Sequence, residues 1–111
     1  MSLSPYLNEL SSLLEALRAA DLDDPQMLEE RLFRLTETLL PLRGTTPAED
    51  ALLCILLLES LQESWYSTPA QRARLPRLLE RAAELQTSLS ADDAALRHRL
   101  QTILKHYLPA A

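Results

Sequence analysis

The sequence predicts an all-α fold: a compact bundle of about five antiparallel helices in one domain spanning residues 1–111. Two observations carry that reading. Among the 111 residues there are 28 Leu and 14 Ala, whereas Val is absent and Ile occurs only at Ile55 and Ile103. The aliphatic content therefore comes from helix formers and not from the β-branched residues that favour strands. The second observation is a regular series of helix starts. Asp24-Pro25, Thr46-Pro47 and Thr68-Pro69 each put a capping side chain before a proline at the first helical position, where the missing N–H costs nothing. Ser90 continues the series at the same 22-residue interval, and Ser4-Pro5 precedes it. Five helices of about 16 to 20 residues follow, each roughly 24 to 30 Å long at 1.5 Å per residue.

Each element shows which face it hides. Helix one carries Leu7, Leu10, Leu14 and Leu17, and helix two carries Leu28, Leu32, Leu35 and Leu39, both at the alternating three- and four-residue spacing of one apolar stripe. Gly44 stands where a C-terminal cap of helix two is expected. Helix three, about residues 47–66, differs, because its run from Ala51 to Leu58 is apolar on every face. It is predicted to be the central helix, and a domain this small is expected to leave some of its leucines uncovered for a homodimer or a helical partner.

Helix four carries Leu75, Leu78, Leu79, Ala82, Leu85 and Leu89, but Pro76 lies about two turns in. Either the helix kinks there or it starts near Pro76. Helix five follows Ser90 with Leu96, Leu100, Ile103, Leu104 and Tyr107. Thr46 with Glu49, Thr68 with Gln71 and Ser90 with Asp93 have the spacing of capping boxes. Cap positions recur at 22 residues while core positions mostly do not, so the period reflects equal helix lengths in an up-and-down array, with short links between antiparallel neighbours.

The same residues exclude several kinds of chemistry. With Gly44 as the only glycine, phosphate-cradling loops, dinucleotide fingerprints and nucleophile elbows have no backbone to build them. No catalytic, cofactor-binding or metal-binding residue is predicted, and the chain is not expected to be an enzyme. His98 and His106, about 12 Å apart along one helix, cannot share a metal. His98 is followed by Arg99-Leu100-Gln101, not by the small-residue and Lys-Gly context of histidine phosphotransfer modules. Ser88, Ser90, Asp92 and Asp93 are explained by helix capping, and Glu59 with Glu63 by a solvated helix edge. Cys54 lies in an apolar run and reads as a small core residue. A secretory leader and a membrane span are both absent from the pattern, so a cytoplasmic location without membrane contact is expected.

What remains is recognition of a protein partner. Residues 1–66 hold twelve acids and four bases, and residues 67–111 hold four acids and seven bases, within an overall charge of −5. Arg74, Arg77 and Arg81 share one face of helix four, and Trp65-Tyr66 close helix three. These five residues are the predicted partner-binding set, aromatic anchors with arginines suited to carboxylates. Nucleic acid is not expected as a partner of so acidic a chain. The function class expected is a small helical adaptor, chaperone or anti-activator-type regulator that binds a protein through apolar helix faces. The alternative is a helical-bundle enzyme or ligand-binding protein with a leucine-lined cavity, to which His98 or Tyr6 would contribute.

Overall fold

A computed structural model describes residues 3–19, 25–63 and 68–107. Five α-helices are formed: α1 (Ser4–Arg18), α2 (Pro25–Leu39), α3 (Pro47–Glu63), α4 (Pro69–Ser88) and α5 (Ala94–Tyr107), the last preceded by a 3-10 turn at Ala91–Asp93. No strand occurs among the described residues.

The predicted caps hold in the middle of the chain and change at its two ends. Thr68 forms the full reciprocal box: its hydroxyl accepts the Gln71 amide at 3.1 Å, and the Gln71 side chain accepts the Thr68 amide at 3.4 Å. With that first turn fixed, α4 starts at Pro69 and stays helical through the exposed Pro76, so the reading in which it begins near Pro76 is corrected. At the N-terminus Ser4 is not the cap. The helix already includes it, and the cap is Leu3, which makes no side-chain capping bond but buries its own side chain in the core. Ser90 precedes a tight 3-10 turn in which the Asp93 amide donates to the Ser90 carbonyl at 3.1 Å. The hydroxyl then donates to the Asp93 carboxylate instead of accepting an amide, so the expected box is not formed. Asp24 lies outside the described residues.

Side-chain ties fix the direction of the helices. Arg31 reaches Glu9 across α1 and α2, Arg81 reaches Asp50 across α3 and α4, and Arg97 reaches the Gln86 carbonyl across α4 and α5. Asp50 in the first turn of α3 meets Arg81 in the second half of α4, and Gln86 near the end of α4 meets Arg97 in the first turn of α5, which is the pairing of antiparallel neighbours. Helix α3 touches all four other helices, whereas α1 packs on α2 and α4 on α5, so two helical hairpins clasp one central helix.

This arrangement covers α3 more fully than the sequence leads one to expect. Leu53, Cys54, Ile55, Leu57 and Leu58 are all 0% exposed. The small residues Ala51, Cys54 and Ser60, also fully buried, let neighbouring backbones come close enough to close the gaps. The stripes of the other helices complete the core, and among the described residues the large apolar side chains left exposed are Met27 and Leu42. Leu52 and Leu61 on α3, with Leu17, Leu28, Leu35, Leu75, Leu79 and Leu96 on its neighbours, stay partly buried at the edge of that core. Buried hydroxyls do not disturb the packing, because Thr36 and Ser60 each donate to the carbonyl four residues earlier, both at 2.7 Å. At the far end Tyr107 donates its hydroxyl to the Leu58 carbonyl at 2.6 Å and ties α5 to α3.

Because α3 is enclosed, Leu57→Ala removes buried volume that its neighbours cannot refill, and a loss of about 2–5 kcal/mol is expected in denaturant unfolding. Leu42→Ala, on the surface, is expected to change stability by no more than about 0.5 kcal/mol.

Candidate functional site

The connection from α2 to α3 is built by local chemistry. Pro41 disfavours helical backbone at the residue before it, so α2 ends at Leu39, and the Leu42 amide closes the turn on the Leu39 carbonyl at 3.0 Å. Gly44 therefore lies five residues beyond the helix and is not its C-terminal cap, which corrects the sequence reading. Its role is close approach: a Cβ there would stand 2.3 Å from the Asp50 amide nitrogen and 2.6 Å from the Asp50 Cα. The loop can lie flat on the first turn of α3 only without a side chain at that point.

Three bonds then hold the loop down. The Thr46 hydroxyl accepts the Glu49 amide at 3.1 Å, while the Glu49 carboxylate accepts the Thr45 amide at 2.9 Å, a capping box displaced by one residue at its return arm. Asp50 accepts the Gly44 amide at 2.8 Å. The same carboxylate receives the Arg81 guanidinium through both oxygens, with Nε 3.1 Å from Oδ2 and Nη2 bonded to Oδ1. Both side chains are only 13% exposed, so the pair is a tie between α3 and α4, not surface decoration. Cys54, one turn further along α3, has its thiol pushed up to about 12 by burial, which outweighs the nearby positive charge of Arg81. It stays protonated at neutral pH and is no nucleophile.

Loop and helix α4 together enclose a groove of about 410 Å³ lined by Leu40, Pro41, Arg43, Arg74, Arg77, Leu78 and Arg81. Leu40, Pro41 and Leu78 supply the apolar part of a lining that is otherwise four arginines, with Leu40 and Leu78 buried in the core. Arg43, Arg74 and Arg77 are exposed and have no ion-pair partner among the described residues. The predicted arginine face is therefore divided. Arg74 and Arg77 are turned to solvent over the groove, and Arg81 is engaged by Asp50 within the chain. Arg43 was not foreseen; it comes from a loop thirty or more residues away, and no spacing in the sequence joins it to α4. Trp65 and Tyr66 lie outside the described residues.

Other residues weighed for chemistry have local partners. Glu59 stands between Arg18 and Arg99 at 3.6 and 3.7 Å. Ser88 donates to the Glu84 carbonyl at 3.2 Å. No group of three His, Cys, Asp or Glu able to hold a metal is found among the described residues. Tyr6 packs half-buried on the core, and His98 is exposed on α5. Arg97, which the sequence reading passed over, folds back over the end of α4, donating to the carbonyls of Gln86 at 3.1 Å, Leu89, and Ser90 at 3.5 Å. It occupies acceptors that a helix end otherwise leaves open.

Asp50→Ala strands the Arg81 charge and frees the loop at once, so a loss of about 3 kcal/mol is expected in thermal or denaturant unfolding. Gly44→Ala is expected to cost about 1–3 kcal/mol by forcing loop and α3 apart. Changes below about 0.5 kcal/mol in both would mean that the loop is not held on α3.

Compared with known proteins, the chain matches the model of the UpxZ family of transcription anti-terminator antagonists over residues 7–105, which is all but six residues at each end. No curated protein and no solved structure matches it.

Proposed function

The chain belongs to the UpxZ family of transcription anti-terminator antagonists, and we propose that it restrains an anti-terminator by binding it directly through the groove between the α2–α3 loop and α4. The observation that carries this reading is the set of exposed arginines, Arg43, Arg74 and Arg77, which line one groove with Leu40, Pro41 and Leu78 and have no ion-pair partners among the described residues. Guanidinium groups suit carboxylates, and partner recognition combines such charges with apolar anchors. The segment of the anti-terminator that fits is acidic, with an apolar side chain to meet Leu40, Pro41 and Leu78.

Antagonism of this kind is stoichiometric and needs no reaction. A helical surface that occupies part of the anti-terminator is sufficient, in the manner of an anti-activator, and its place of action is the cytoplasm. No helix among the described residues is long and apolar enough to cross one. The alternative of a leucine-lined ligand cavity has less in its favour, since the leucines of α3 are packed against other side chains and the groove walls are charged. A homodimer is likewise not required by this reading.

The test is the double variant Arg74→Glu/Arg77→Glu in a terminator read-through assay with the anti-terminator. Charge reversal at two exposed positions is expected to weaken binding about tenfold or more and to restore read-through, with the melting temperature nearly unchanged. Full antagonism by a folded double variant would refute the groove as the binding surface.

A further inference from the structure

In an acidic chain of net charge −5, the groove beside α4 gathers Arg43, Arg74, Arg77 and Arg81, and no carboxylate is among the described residues that line it. The carboxylates of the other ion pairs, Glu9, Glu30 and Glu59, are engaged elsewhere, by arginines outside the groove. We infer that the groove is a binding site for a compact multivalent oxyanion of the phosphate class, which competes there with the acidic segment of the anti-terminator.

Asp50 shows how much one carboxylate can hold. Both of its oxygens are taken by Arg81 alone, and one of them also accepts the Gly44 amide. A planar carboxylate is thus filled by a single guanidinium. Arg43, Arg74 and Arg77, still without ion-pair partners among the described residues, call for several carboxylates or for one group with more charge and more oxygens. The acidic segment meets the first demand. A phosphoryl group meets the second, with about two negative charges spread over three strong acceptor oxygens.

The direction of approach fits a compact ligand. Arg43 comes from the α2–α3 loop, and Arg74 and Arg77 from α4 one turn apart, so the charges face the groove from two elements and not along one row. Burial raises the Cys54 pKa, and the positive charges of Arg81 and Arg43 both oppose it, which places both guanidiniums near that point of α3. The elements that carry the arginines are also fixed in advance: Asp50 ties the loop through Gly44 and α4 through Arg81, so an incoming anion does not have to order them. Leu40, Pro41 and Leu78 offer nothing to a small inorganic anion. It takes the charges alone, whereas the segment uses charges and apolar contact together, and the two cannot share the arginines.

The competition rests on the antagonist reading; the anion site does not. The site is tested on the purified full chain by titration calorimetry with inorganic pyrophosphate, ionic strength being held constant with sodium chloride. Saturable binding is expected, weakened about tenfold or more by Arg74→Gln/Arg77→Gln and little changed by Arg31→Gln/Arg34→Gln, which removes the same charge from α2. Should the α4 variant fail to fold, Arg43→Gln, in the loop and exposed, reads the same loss. No saturable binding, or an equal loss from the α2 variant, overturns the site. Pyrophosphate at about ten times its Kd is then added to the chain and the anti-terminator in an equilibrium binding assay, where the apparent affinity is expected to fall about tenfold. A complex that forms and is indifferent to pyrophosphate overturns the competition. A chain that binds pyrophosphate but forms no complex supports the site and removes the antagonist reading, and the competition with it.

Discussion

The constraint on which the rest of the structure depends is that α3 has no face to show to water. Eight consecutive apolar residues from Ala51 to Leu58 cover two turns, and a helix of that kind is stable only when other helices close around it. The two flanking hairpins do so, and the requirement also dictates where charge can go. Two carboxylates of α3 stand immediately beyond the ends of the apolar run, Asp50 before it and Glu59 after it. Each draws arginine from a surrounding helix: Arg81 to the first, Arg18 and Arg99 to the second. The arginine groove lies at the first of these ends, so the placement of surface chemistry follows from the core.

The α-helical class, the helix order and the central place of α3 were legible because each rests on short-range pattern. Leucine spacing identifies buried faces, and Thr-Pro pairs identify first turns. The structure departs from pattern where a choice depends on distant neighbours. Gly44 looks like a helix cap by position, yet its use is set by the Asp50 backbone pressed against it. Ser90 has the right spacing for a box, but the turn that follows is too tight to form one. The full enclosure of α3 was least legible, since it depends on how small residues such as Ala51 and Ser60 let helices approach.

The candidate site was legible in part, for the same reason. Arg74 and Arg77 share a face at helical spacing, which sequence reveals; that Arg81 belongs to a buried pair, and that Arg43 joins the others from a loop, are facts of tertiary packing. An arginine row on a helix is ambiguous between internal ties and outward recognition. Here the row divides, Arg81 securing the helix that presents Arg74 and Arg77. The proposed antagonist surface gains from that arrangement, since a surface held firmly in advance does not have to be ordered on binding.

The place of α3 between the two hairpins, in sequence as well as in the fold, bears on how the protein is made. Helices α1 and α2 leave the ribosome before α3 and can cover part of it as it appears, but the remainder waits for α4 and α5. Residues 64–107 must be synthesised before Tyr107 can reach Leu58. At about 5–20 residues per second that interval is roughly 2–9 seconds. During it a nascent chain carries a half-covered leucine helix, so aggregation risk is greatest between the emergence of α3 and the completion of α5.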